Sequence, residues 1–155
     1  MFKILLPTSL LLGLLAASFS CQAAISDAEA VNRAGMQRML SQRIAKNYLM
    51  IGSETRVDLA ARQLDSSIAS IEENTQLLDE YAPSDSVRKA LQDATQTWAE
   101  YRQLALGRPD REQSAELLRL AERFLAQSEN LVQAIERHSG SQAAQLVNRS
   151  GRQRM

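Results

Sequence analysis

The sequence contains one cysteine, one histidine, three prolines and six glycines in 155 residues, and few aromatic residues. A single cysteine, Cys21, cannot form an intramolecular disulfide bond, so the fold must be stabilised by packing. The low proline and glycine content removes the usual signals of short strands and tight turns, and it favours long helices. The single histidine, His138, has no cysteine or Glu-x-x-His pattern near it. The composition therefore predicts no metal site.

The first 24 residues have the layout of a secretory signal peptide. Lys3 supplies a positive charge, residues 4–19 are mostly apolar, and small residues lead to Ala23 and Ala24. The apolar stretch is shorter than the ~20 residues that a membrane-spanning helix needs. We therefore expect a signal peptide at 1–24 and a periplasmic domain at 25–155. The alternative is membrane anchorage, either through an uncleaved N-terminus or through a lipid on Cys21.

The chain also has no net charge, because 18 basic residues balance 18 acidic residues. This balance argues against nucleic acid as a partner. The local distribution is uneven. No acidic residue lies between Glu29 and Glu54 or after Glu136, although both segments contain several basic residues. The chain also lacks a nucleophile-base pairing, a phosphate-binding loop and clustered carboxylates in an apolar context, so we expect no enzymatic activity.

Apolar residues spaced by threes and fours predict four helices and no strands. The first runs from about Ser26, an N-cap with Glu29 three residues on, to Ile51. The second spans about 57–81. The third starts after Pro83, with Ser84 or Asp85 as its cap, and extends to about 106. The fourth begins near 111 and is expected to continue through 138–141 to the chain end. The alternative is a kink or an end at Gly140, because glycine is unfavourable in a helix interior. Short connections predict an all-α, antiparallel up-down-up-down four-helix bundle with long first and last helices. Trp98 and Tyr101 are predicted core residues.

A nine-residue motif occurs twice. Val31–Met39 reads VNRAGMQRM and Val147–Met155 reads VNRSGRQRM, so seven of the nine positions are identical. Such internal repetition indicates two copies of one structural unit. The second copy, within residues 146–155, lacks the continuation that follows the first. We expect the chain to be a fragment of a longer two-unit protein, and the alternative is a last helix that ends within the motif.

On a helix, the first motif copy has two contrasting faces. One is an apolar stripe that is expected to face the bundle and contains Met36, Leu40, Ile44 and Ile51. The opposite face is mixed and contains Val31, Gly35, Arg38, Gln42 and Leu49. Glycine inside a helix is destabilising and often marks close approach of a ligand or another helix. Gly35 and Arg38 are three residues apart and share one surface.

Arginine carries a permanently charged fork of donors that matches small oxyanions. An anion at Gly35 could therefore contact both the backbone and Arg38. If the helix paired with its copy in a second subunit, two Arg38 side chains would converge across a two-fold axis. An anion between them would relieve their repulsion, and the contact would then depend on the ligand. For Arg38, the competing hypothesis is an ordinary arginine paired with a carboxylate. Arg33 and Arg43 are expected to be solvated or to contact an acidic neighbouring helix.

The segments Asp27–Gly35 and Arg38–Arg43 resemble the P-box of NarX-type nitrate/nitrite sensor kinases. They are still more similar to the N-terminal domain of PilJ-like type IV pilus chemotaxis transducers. The resemblance covers about residue 27 to the chain end, although only the motif is specific. Unlike the kinases, this chain has two boxes, of which the second is incomplete.

The resemblance implies nitrate or nitrite binding between first helices at a dimer interface, with Arg38 as the ligand arginine and Gly35 beside it. In the second copy, Arg154 and Gly151 occupy the corresponding positions. No cofactor is implied, and the expected partners are a small inorganic anion and a second subunit or a membrane receptor. The complete predicted ligand-binding set is Gly35, Arg38, Asn32 and Gln42, with Asn148, Gly151 and Arg154 in the second copy.

Two functions of different classes therefore follow from the sequence. The first is a periplasmic sensor domain that binds a small oxyanion, nitrate or nitrite, at Arg38 and relays occupancy through a dimer or a partner. The second is a ligand-free helical interaction module in which Gly35 and Arg38 dock a membrane receptor or a pilus or chemotaxis component. Nitrate-dependent stabilisation that requires Arg38 separates the two.

Overall fold

The computed structural model describes residues 25–153 of the chain. The predicted signal peptide at 1–24 and Arg154 of the second motif copy lie outside these residues. The described part is all-helical and contains no strand, which confirms the all-α class. Its five helices are α1 (Asp27–Gly52), α2 (Val57–Tyr81), α3 (Asp85–Ala105), α4 (Arg111–Ser139) and α5 (Gln142–Arg152). None of these five helices has the length and apolar character needed to cross a membrane.

Four of the five helices begin at a side chain that caps the free backbone N–H groups of the first turn. Ser26, Ser84, Asp110 and Ser141 each accept a hydrogen bond from the backbone N–H three residues further along. Such a cap typically stabilises a helix by about 1 kcal/mol relative to alanine. The predicted cap at Ser26 is confirmed, and of the two residues predicted to cap the third helix, Ser84 or Asp85, the structure has Ser84.

An aromatic cluster joins α3 and α4 in the core. The ring of Trp98 lies 5.8 Å from that of Tyr101 and 5.5 Å from that of Phe124, and all three side chains are buried. The Tyr101 hydroxyl donates to the backbone oxygen of Ser41 at 2.7 Å, which ties α3 to α1. The Ser41 hydroxyl donates in turn to the backbone oxygen of Ala121 on α4 at 2.9 Å. The core positions predicted for Trp98 and Tyr101 are therefore confirmed.

Contacts between helix ends indicate how α1 lies among its neighbours. The Tyr81 hydroxyl at the end of α2 donates to the Asp27 carboxylate at the start of α1 at 2.6 Å. This hydrogen bond lowers the pKa of the Asp27 carboxyl group, while burial raises the pKa of the Tyr81 hydroxyl. Near the other end of α1, the Tyr48 hydroxyl lies 3.4 Å from the Gln113 side-chain oxygen at the start of α4. The ends of α1 are thus fixed to α2 and α4, while the complete up-down-up-down order stays a prediction.

The predicted continuation of the fourth helix to the chain end is wrong, because α4 ends at Ser139 and a separate helix follows. Gly140 has a φ of +58°, a left-handed conformation that ends a helix and that glycine adopts without steric cost. Ser141 then caps α5. The chain reverses at this point, so α5 packs against α1 instead of extending α4. The described part of the second motif copy therefore packs against the first copy.

The two-face prediction for α1 is partly wrong. Leu40 and Ile44 are buried as expected, but Met36 of the predicted apolar stripe is 37% exposed. On the opposite, mixed face, Val31 and Arg38 are buried. The reason is that α1 packs against α2, α4 and α5, so its covered surface is much broader than one apolar stripe. Helix α5 contacts the part of the mixed face that contains Arg38, whereas Gln42 and Leu49 of that face are exposed.

Candidate functional site

Arg38 is the largest fully buried side chain of the described residues, with 1% of its surface exposed. Its Nη1 donates to the Glu129 carboxylate of α4. Its Nη2 donates to Oδ1 of Asn148 on α5 at 3.2 Å, and its Nε donates to the backbone oxygen of Gly35 at 3.3 Å. A buried charge is tolerated only when it is paired and hydrogen-bonded, and each guanidinium nitrogen has a partner here. Arg38 thus joins three helices at one point.

Two motif glycines flank the Arg38 guanidinium, one from each copy. A Cβ atom at Gly35 would lie 3.0 Å from Nη2 of Arg38, and a Cβ atom at Gly151 would lie 3.5 Å from the same nitrogen. The missing side chains leave room for the guanidinium between α1 and α5. The two copies therefore meet within one chain and enclose a single arginine.

Glu129 is shared between two arginines. One carboxylate oxygen accepts from Arg38, while the other accepts from Arg152 of α5 and from the Gln133 amide of α4 at 3.1 Å. The Glu129 side chain is 23% exposed, so it is partly accessible to solvent. Charge-assisted hydrogen bonds of this kind are stronger than neutral ones. Glu129 consequently holds α1, α4 and α5 together.

Of the six predicted site residues that the structure describes, four come together and two do not. Gly35, Arg38, Asn148 and Gly151 form one cluster. Asn32 is half-buried, and its side chain makes no hydrogen bond to any of residues 25–153. Gln42 is exposed on α1, which separates it from the cluster.

Glu129 and Arg152 belong to the cluster but were missed from the sequence. The available signal was the absence of acidic residues from both motif segments, which meant that any carboxylate partner had to come from elsewhere. Arg33 behaves as predicted and contacts the acidic neighbouring helix α2. It donates to Asn74 at 3.0 Å and lies 3.5 Å from the Glu73 carboxylate.

Within the part of the chain that the structure describes, no group of three histidine, cysteine, aspartate or glutamate residues is arranged to hold a metal ion. The cluster around Arg38 instead offers a buried guanidinium, an amide and two glycines. These groups suit an anionic partner, and in this structure the partner is the Glu129 carboxylate.

The sequence that forms these helices matches a known protein family. The sequence model of PilJ, the N-terminal domain of type IV pili methyl-accepting chemotaxis transducers, matches residues 21–133. The chain belongs to this family. The PilJ match contains α1 to α3, most of α4, and the residues Gly35, Arg38 and Glu129. It ends before α5, so the second motif copy lies outside it. No curated protein and no solved structure gives a significant match.

Proposed function

We propose that the chain is a periplasmic sensor domain for chemotaxis signalling, in which a small oxyanion, nitrate or nitrite, competes with Glu129 for Arg38. Membership of the PilJ family supports the sensory role. The observation that carries the ligand proposal is the buried Arg38 guanidinium, which is enclosed by the two motif glycines and neutralised by one carboxylate.

Nitrate and nitrite resemble the group that Arg38 already binds. A carboxylate, a nitrate and a nitrite each present coplanar oxygen atoms with one negative charge, and the guanidinium fork matches that arrangement. Exchange of the Glu129 carboxylate for such an anion would keep Arg38 neutralised. The glycines leave space beside the guanidinium, and the Asn148 amide could contact the incoming anion.

Displacement of the Glu129 carboxylate from Arg38 by an anion would change the contacts of α5. Glu129 binds Arg38 and Arg152 together, so a displaced Glu129 changes the attachment of α5 to α4 and α1. A ligand shifts a conformational equilibrium by its difference in affinity for the two states. In this proposal, the docked α5 is one state and a rearranged α5 is the other. A dimer partner or a membrane receptor would respond to the change in the position of α5.

One observation favours the second function, a ligand-free interaction module. Arg38 already has a carboxylate partner, so its burial requires no external anion. On the outer surface of α5, Leu146 is exposed and Arg149 is exposed beside it in the helix register. A receptor or a pilus component could dock on this helix while Arg38 only fixes its position.

Thermal unfolding in nitrate, nitrite or chloride at matched ionic strength tests the sensor proposal. A ligand at 100 times its dissociation constant stabilises a protein by about 2.7 kcal/mol. We expect nitrate or nitrite to stabilise the protein more than chloride does, and Arg38→Ala to abolish the difference. Glu129→Gln should strengthen nitrate binding, because it removes the competing charge and keeps the side-chain shape.

Arg102→Ala is the matched control, since Arg102 pairs with Glu72 on the exposed surface of α3 and α2. This variant should keep the full nitrate response. Equal stabilisation by all three salts, in the native protein and in Glu129→Gln alike, would contradict the sensor proposal and favour the interaction module.

A further inference from the structure

A polar cleft lies between the end of α4 and α5, beside the Arg38 cluster. It has a volume of about 560 Å³. The charged residues that line it are Glu136 and Arg137 of α4 and Arg149 and Arg152 of α5. Gly140 forms the turn between the two helices and also lines the cleft. The space is therefore bounded by both helices and by their connection.

The cleft carries an excess of positive charge. Arg152 is paired with Glu129, whereas Arg137 and Arg149 form no ion pair with any residue between 25 and 153. Together with Arg38 below, the region holds four arginines against the carboxylates of Glu129 and Glu136. This is a net excess of two positive charges in a protein whose total charge is zero.

Asn148 provides an amide donor in the same cleft. The residue is only 5% exposed and lines the cleft. Its Oδ1 accepts the hydrogen bond from Arg38, but its Nδ2 donates to no acceptor among the described residues. Because the Asn148 amide lines the cleft, an oxygen ligand there could accept a hydrogen bond from its Nδ2. This observation is independent of the charge count.

We propose that this cleft binds a small dianion with carboxylate or phosphate oxygens, which bridges Arg137 of α4 and Arg149 of α5 and accepts from Asn148. Two separate guanidinium groups suit two negative charges better than one. Such a ligand would hold α5 against α4. The site differs from the one proposed at Arg38, because it needs neither displacement of Glu129 nor binding of nitrate.

Calorimetric titration of the protein with succinate, inorganic phosphate and acetate at constant ionic strength tests the proposal. We expect succinate or phosphate to bind at least about tenfold more tightly than acetate, since the second charge adds a second charge-assisted contact. Whichever dianion binds more tightly identifies the oxygen chemistry. Arg137→Gln and Arg149→Gln should each weaken dianion binding by about tenfold.

The matched control is the double variant Arg62→Gln/Arg111→Gln, which removes two exposed arginines that form no ion pair within residues 25–153. It should bind the dianion as the native protein does. Equal affinity for acetate and succinate, or an equal loss in this control, would overturn the proposal. The nitrate response should persist in Arg137→Gln/Arg149→Gln, so failure of this site is distinguishable from failure of the sensor proposal.

Discussion

Replacing Glu129 by alanine should destabilise the protein strongly, because it leaves the buried Arg38 charge without a carboxylate. Breaking a buried ion pair by removing one partner costs roughly 3–5 kcal/mol, and partial exposure of Glu129 places the expected loss at about 3 kcal/mol. For a domain of this size, that corresponds to a fall in melting temperature of about 10 °C. Urea unfolding and thermal unfolding both measure the loss.

Two comparisons make this result specific. Glu72→Ala removes the carboxylate of an exposed pair with Arg102 and should change stability little, since exposed ion pairs contribute little. The double replacement Arg38→Met/Glu129→Leu should recover most of the loss, because apolar side chains of similar size can replace a buried ion pair. A Glu129→Ala variant as stable as Glu72→Ala would show that the Glu129 carboxylate does not neutralise a buried Arg38 charge.

Replacing Phe124 by alanine should have an even larger effect, a loss of about 4 kcal/mol in the free energy of unfolding. The Phe124 ring is fully buried and lies 5.5 Å from Trp98 and 6.3 Å from Tyr101. Its removal leaves a cavity between α3 and α4, and the adjacent Tyr101 hydroxyl is fixed to the backbone of Ser41 and limits collapse.

Leu118→Ala is the control for Phe124→Ala, because Leu118 lies on the same helix but its side chain is exposed. Chemical denaturation of the two variants should separate them by several kcal/mol, since the exposed leucine loses little packing when it is truncated. Similar losses in both variants would contradict the position of the aromatic cluster.

Local signals in the sequence predict much of the fold. The first three helices follow from apolar spacing and from the caps at Ser26 and Ser84, which act within a single turn. Trp98 and Tyr101 follow from their position on the apolar face of α3. The prediction failed at Gly140, where a helix interior and a left-handed helix end both fit the local sequence, and the capping by Ser141 favours the end.

The site was predicted only in part, because its decisive contacts join distant segments. The repeat and the Gly35-Arg38 spacing identified the region on α1. Pairing of Arg38 with Glu129 and Asn148 spans 91 and 110 residues, and helical periodicity carries no information about such distances. The burial of Arg38 on the mixed face has the same origin, since it depends on where α5 packs.

Hydrogen exchange of the α5 backbone amides tests most directly the claim that Arg38 and Glu129 hold the second motif copy on the first. In the native protein, the amides around Asn148 should be protected, because α5 is docked on α1. In Arg38→Ala and Glu129→Ala they should exchange much faster, while α2 and α3 stay protected. Fast exchange of α5 in the native protein, or unchanged protection in both variants, would contradict the account.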